Sequence, residues 1–215
     1  MKKTRVLLVE DHETVRQGIR ALLETRPDID VIGDAWNGRL AVERTLELKP
    51  DVVVLDVSMP EMNGLAAARA IKSAAPEVAI VALTRHGEDA YVKELLGAGA
   101  SGYVLKQSAF DELVQAIRTT ASGGRYLDPM LEARHGDGTT SRFPTTPARP
   151  RISDREASVL RMMALGHSNK EIATALDIAL KTVEVHKANA MRKLNLRGRI
   201  DVVRYVALSG WLQDP

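Results

Sequence analysis

The chain predicts two unlike folds in series: a doubly wound α/β domain on a five-stranded parallel sheet, then an all-α helix-turn-helix domain. Three observations carry this. Short β-branched runs alternate with stretches of helical period up to about residue 125. The run from His135 to Pro150 then has almost no large apolar residue. From residue 151 onward no strand pattern returns. At 215 residues, each of two domains remains large enough to bury a core.

The first strand is Val6-Leu7-Leu8-Val9, followed by helical period over 13–25. Val31-Ile32 precedes a helix over 38–48, and Val52-Val53-Val54-Leu55 precedes one over 64–74. Val78-Ala79-Ile80-Val81-Ala82-Leu83 leads to 88–97, and Tyr103-Val104-Leu105 to 109–121. Unbroken apolar strands are buried on both faces, which implies a parallel sheet with helices on each side. Residues 1–125 are read as this domain and 126–150 as a flexible linker, with a short helix near 129–134. Gly136, Gly138, Pro144, Pro147 and Pro150 are the linker's breaker signals.

Residues 151–215 read as helices over 154–165, 169–176, 180–194 and 199–208. Ser153 with Glu156, and Ser168 with Glu171, have capping-box spacing. The turn Asp177-Ile178-Ala179 has the length of a helix-turn-helix connection. Ala179 offers no side-chain cap to the helix it precedes, and Gly198 offers none to the last.

Composition excludes several classes. There is no cysteine, hence neither disulfide nor thiolate metal site. No apolar run reaches the roughly 18–20 residues that span a bilayer, and the start is not read as a signal peptide, so a cytoplasmic protein is expected. Residues 1–126 hold 16 Lys and Arg against 18 Asp and Glu, whereas 151–215 hold 11 against 7. The basic excess therefore lies at the C-terminal end, where a polyanionic partner is expected.

Chemistry gathers at the strand ends. Glu10 and Asp11 follow the first strand, Asp56 the third, Thr84 ends the fourth and Lys106 follows the fifth. In an open parallel sheet these carboxyl ends form the ligand-binding edge. Crowded carboxylates repel one another, and Mg²⁺, a hard cation that needs only one or two of them plus waters, relieves this. Asp56 can then act as a nucleophile toward phosphorus, Thr84 can donate to a phosphoryl oxygen, and Lys106 can neutralise the added charge.

Residues 4–121 resemble the receiver domain of two-component response regulators. The match lies in Val9-Glu10-Asp11-His12, in Leu55-Asp56-Val57-Ser58-Met59-Pro60 with Asn63-Gly64, in Leu83-Thr84, and in Gly102-Tyr103-Val104-Leu105-Lys106. The resemblance implies that Asp56 is the phosphoacceptor. It also implies that Glu10, Asp11, Asp56 and the backbone carbonyl of Ser58 hold Mg²⁺, and that Thr84 and Tyr103 report the phosphorylated state. Gln107 stands where proline is commonest, and Arg85 is larger than the residue usual beside Thr84.

On helix 180–194, Val183, Lys187, Ala190 and Leu194 share one face, and Lys181, Glu184, Val185, Ala188 and Arg192 the opposite one. The second face suits a major groove, with Lys170, Lys187 and Lys193 available to phosphates from its flanks. Residues 151–211 resemble the LuxR-type helix-turn-helix of the NarL/FixJ subfamily. The resemblance lies in Ser153-Asp154-Arg155-Glu156, in 166–173, in Lys181-Thr182-Val183-Glu184-Val185-His186-Lys187 and in Arg192-Lys193-Leu194. It implies that Glu184, Val185 and Ala188 face base edges, with Lys181, Thr182 and Arg192 beside them. It further implies that helix 199–208 pairs two such domains on DNA.

The expected function is a DNA-binding response regulator. A sensor histidine kinase would phosphorylate Asp56, favouring a homodimer on double-stranded DNA and so regulating transcription. The chain is not expected to be an enzyme beyond transfer to its own Asp56 and slow hydrolysis there. Two alternatives stand beside this: a regulator indifferent to phosphorylation, and a metal-dependent phosphohydrolase. The latter usually needs an acid two residues after the nucleophile, where this chain has Ser58.

Overall fold

A computed structural model describes residues 3–85, 89–132, 152–194, 196–208 and 211. It divides into an N-terminal and a C-terminal unit. The N-terminal elements run β1 Thr4–Val9, α1 Glu13–Glu24, β2 Ile29–Ala35, α2 Gly38–Leu48, β3 Val52–Asp56, α3 Gly64–Ala74, β4 Ala79–Thr84, α4 Asp89–Gly97, β5 Gly102–Leu105, α5 Phe110–Ala121, β6 Tyr126–Leu127 and α6 Pro129–Glu132. The sheet is parallel throughout, in the order β2-β1-β3-β4-β5-β6.

The apolar strand runs behave as their composition demands. Val6, Leu8, Val52, Val54, Val81, Leu83 and Val104 pack with Leu23, Leu113, Val114 and Ile117 in one core. The alternate positions Leu7, Val9, Val53, Leu55 and Ile80 are equally closed to solvent. Both faces of the sheet are therefore covered, which leaves the strand ends as the accessible edge.

Among the described residues the sheet has six strands, not the expected five. Tyr126–Leu127, counted in the sequence as the start of the linker, pairs with β5. Tyr126 N–H donates to Ser101 O at 3.0 Å, and Asp128 N–H to Tyr103 O at 3.0 Å. A two-residue strand carries no period, and its burial comes from β5 and α5 rather than from its own pattern. The remainder of the expected linker, 133–150, lies outside the described residues.

The C-terminal unit contains α7 Asp154–Ala164, α8 Asn169–Leu176, α9 Leu180–Lys193 and α10 Arg199–Leu208. Val159, Leu160, Ile172, Val183, Ala190, Leu194, Val202 and Val206 close its core. Both expected capping boxes form, at Ser153 with Glu156 and at Ser168 with Glu171. Ala179 begins α9 with no side-chain cap. Ahead of α10, the Asp201 carboxylate accepts from Arg197 N–H at 2.8 Å and Gly198 N–H at 3.2 Å, the return half of a capping box whose forward half Gly198, without a side chain, cannot make. Among the described residues no helix is long and apolar enough to cross a membrane.

Candidate functional site

Parallel strands deliver the expected residues to one edge. Asp56 is the last residue of β3 and Thr84 of β4, with Asp56 registered against Leu83 and Thr84 against Leu105. Glu10 follows β1 and its N–H donates to Ala35 O at 3.0 Å. Lys106 follows β5 and its N–H donates to Thr84 O at 2.7 Å. Glu10, Asp56 and Thr84 are buried, and Asp11 is half-buried.

One cation joins the acids. The Lys106 ammonium lies 2.6 Å from Glu10 Oε2 and 2.9 Å from Asp56 Oδ2, although 96 residues separate Lys106 from Glu10. Asp56 Oδ1 accepts from Ser58 N–H at 3.1 Å. Asp56 Oδ2 is buried and has the ammonium's charge beside it, but no aligned hydrogen bond. The two facts are compatible, because an ion pair tolerates angles that a hydrogen bond does not. Among the described residues, that oxygen is therefore the end of the carboxylate to which no hydrogen-bond donor is committed, with a positive charge close by.

The loop after β3 owes its path to Asn63 and Gly64. Asn63 Oδ1 caps α3 by accepting from Ala66 N–H at 2.9 Å, and Gly64 N–H donates to Val57 O at 3.0 Å. A Cβ at Gly64 would sit 2.3 Å from Asp56 O and 2.6 Å from Val57 Cα, so only glycine lets α3 approach the Asp56 backbone this closely. On the other flank, Arg16 donates to Glu10 O at 2.8 Å and to Asp34 at 3.0 Å, holding the acidic turn.

Glu10, Asp11 and His12 bring ligand atoms within 4.8 Å of one another. His12 had no role in the sequence reading, although its place beside two acids was a visible signal. Its Nδ1 lies 3.1 Å from Glu10 Oε1 and 2.9 Å from Asp11 Oδ1. Hydrogen bonding first to Glu10 and then to Asp11 raises its pKa. The hard-oxygen donors at this edge, with the donor-poor Asp56 Oδ2 facing them through Lys106, suit a divalent cation such as Mg²⁺. Ser58 is exposed at the loop, Tyr103 is fully buried in β5 two positions before Leu105, and Arg85 is exposed.

On α9 the two predicted faces separate cleanly. Val183 and Ala190 are fully buried and Leu194 nearly so, whereas Lys181, Glu184, Val185, Ala188 and Arg192 are exposed. Thr182 and Lys187 are half-buried, and Lys170 on α8 is exposed. Lys193 has a further partner that the sequence did not disclose. Its ammonium lies 2.8 and 2.7 Å from the two oxygens of buried Glu156, so a phosphate would have to compete for it. Burial alone would push the Glu156 carboxyl up, but the Lys193 and Ser153 hydrogen bonds outweigh it, and the net direction is down.

Comparison with known proteins matches both units. Residues 6–118 match the response regulator receiver domain family, and residues 150–206 the bacterial regulatory proteins of the luxR family. The response regulator protein VraR of Staphylococcus aureus is 35% identical, over 94% of this chain and 95% of its own. The transcriptional regulatory protein DegU of Brevibacillus brevis is 31% identical, over 98% and 96%. Among solved structures, RcsB of Salmonella enterica serovar Typhimurium, bound to promoter P1flhDC with the phosphomimetic BeF₃⁻, is similar at TM-score 0.82. That likeness has 27% identity and covers 97% of this chain and all of that one.

Proposed function

The chain belongs to the two-component response regulators that join a receiver domain to a LuxR-type DNA-binding domain, and from that premise we propose that phosphorylation of Asp56 switches its binding to DNA. The observation that carries this is the ammonium of Lys106 held between Glu10 and Asp56 at the strand ends. Phosphoryl transfer needs little covalent chemistry from a protein; it needs a positioned nucleophile and charge stabilisation. Asp56 supplies the nucleophilic oxygen, Lys106 the charge, and Thr84 a hydroxyl donor toward the phosphoryl oxygens. Glu10, Asp11, Asp56 and the Ser58 carbonyl would hold Mg²⁺, which neutralises charge on the incoming phosphoryl group.

The phosphoryl donor is a sensor histidine kinase, and the protein works in the cytoplasm as a transcription regulator without catalysis beyond its own Asp56. The receiver extends through α6 to residue 132, a connection covers 133–150, and the DNA-binding domain covers 151–215. Drawing of Thr84 toward the phosphoryl group is matched by Tyr103, whose buried ring fills the β5 side. Two receivers then pair, and two α9 helices meet adjacent half-sites. Glu184, Val185 and Ala188 face base edges, with Lys170, Lys181, Thr182, Lys187, Arg192 and Lys193 around them. Pairing raises affinity through effective concentration. The RcsB complex with promoter DNA and a phosphomimetic supports this arrangement.

Incubation with phosphoramidate and Mg²⁺ tests the proposal, followed by intact mass, light scattering and DNA gel shift. The wild type gains one phosphoryl group, dimerises and binds DNA more tightly, and Asp56→Ala does none of these. Absence of phosphoryl gain in the wild type refutes the switch. Gain without change in assembly or DNA affinity refutes its coupling.

A further inference from the structure

Asp128 is a fully buried acid to which the chemistry above assigns no task. It stands where β6 passes into α6. Its Oδ1 accepts from Met130 N–H at 2.9 Å, which is an ordinary helix cap. Its Oδ2 makes two bonds that no cap requires. It accepts from the Leu105 N–H at 2.9 Å and from the Ser108 hydroxyl at 2.5 Å. Those two donors stand on either side of Lys106.

The turn that carries Lys106 is thus held at two points. One is the Thr84 carbonyl, which accepts from Lys106 N–H on the β4 side. The other is the Asp128 carboxylate, directly after the last strand of the sheet. From this geometry we infer that Asp128 is a positioning residue for phosphoryl transfer. It fixes the backbone around Lys106 so that the ammonium meets Asp56 with little freedom, and it makes β6 move with that turn when Asp56 is modified. The inference rests on Asp56 being the phosphoacceptor.

The physical reason is the cost of releasing a buried carboxylate. Its three donors satisfy it, and a carboxylate closed to solvent incurs a desolvation penalty if the turn shifts away from it. Charge-assisted bonds of this kind are also the stronger class. A displacement of Lys106 toward a phosphoryl group therefore draws Leu105 N–H and Ser108 Oγ, and with them Asp128 and its neighbours on β6. Asparagine at 128 would keep the shape but turn an amide NH₂ toward a backbone N–H, so it cannot serve all three donors.

The test uses the full chain with phosphoramidate and Mg²⁺, reading phosphorylation by intact mass. Asp128→Asn lowers the saturating rate about ten-fold, with the half-saturating phosphoramidate concentration changed less than about two-fold. Ser108→Ala, which leaves the buried acid in place, lowers it about three-fold and decides the matter if Asp128→Asn does not fold. In a Lys106→Ala background Asp128→Asn adds less than about a two-fold further loss, because the two act through one group. Hydrogen exchange at the Leu105, Tyr126 and Asp128 amides changes on phosphorylation of the wild type and stays unchanged in Asp128→Asn. Wild-type rates in both single variants overturn the inference and leave the Asp56 reading standing. So does a loss that multiplies in full with Lys106→Ala, which marks a structural role only. No phosphoryl gain in the wild type overturns both.

Discussion

Ala179→Ser should stabilise the C-terminal unit. The backbone at Ala179 (φ −65°, ψ 146°) already has the extended geometry of an N-cap. It lies close to Ser153 (φ −70°, ψ 157°) and Ser168 (φ −75°, ψ 159°), whose hydroxyls each accept from the third helical N–H at 3.3 Å. A serine at 179 therefore needs no backbone adjustment to reach Thr182 N–H. That N–H already donates to Ala179 O at 2.9 Å, which takes part of the gain in advance. The third helical residue is Thr182 rather than glutamate, so no reciprocal box can form. The gain is accordingly about 0.5–1 kcal/mol, at the low end for such caps. In a unit of about 65 residues that raises the melting temperature by about 4–7 °C. Calorimetry of the full chain reads it from the C-terminal unit's transition. Ser168→Ala, which removes a working cap, identifies that transition by lowering it. If Ser168→Ala lowers the transition while Ala179→Ser leaves it unmoved, the start of α9 is already satisfied and the capping deficit is refuted.

Gly64→Ala places a methyl 2.3 Å from the Asp56 carbonyl, and ordinary contact needs about 3.4 Å. Either α3 or the Asp56 loop must retreat by about 1 Å, costing roughly 1–3 kcal/mol and slowing phosphorylation. An unchanged urea midpoint would show that the loop yields freely. For Glu156 the folded carboxyl titrates below its ordinary value, with burial opposing and the Lys193 and Ser153 bonds prevailing. Its contribution is therefore present above the ordinary glutamate pKa of 4.5 and fades as pH falls through the lower folded value. Melting of the C-terminal unit should drop below about pH 4.5 in the wild type. Glu156→Gln should melt lower at neutral pH and lack that part of the acid dependence. Parallel pH curves for the two proteins would contradict the pairing.

Most elements were legible because their patterns are local and long enough to show a period. The strand runs ending at Val9, Leu55 and Leu83 foretold β1, β3 and β4 to within a residue or two. The acidic edge followed from topology, since parallel strands must end together. What escaped notice was short or distant. β6 has two residues, and Asp128 gains meaning only when β6 lies beside Leu105 and Ser108. Lys193 and Glu156 stand 37 residues apart and meet only once α7 and α9 pack. Asp201 ties down the Arg197 and Gly198 N–H groups from three residues inside α10, a contact that the rule for the first position does not foresee. Val183 and Ala190, by contrast, obeyed helical period and turned inward as expected.

The shortness of β6 also bears on solubility. A sheet edge is a row of unpaired backbone groups, and a long flat one invites strands from neighbouring molecules. Here the β6 edge offers two residues before Pro129, which has no N–H to donate. The opposite edge, β2, carries Asp30 and Asp34, the latter gripped by Arg16 and Arg20. Both margins of the sheet are thus poor templates for a further strand: one ends too soon and the other is guarded by charge. The pairing of two copies proposed above is in this way kept from running through the β-sheet.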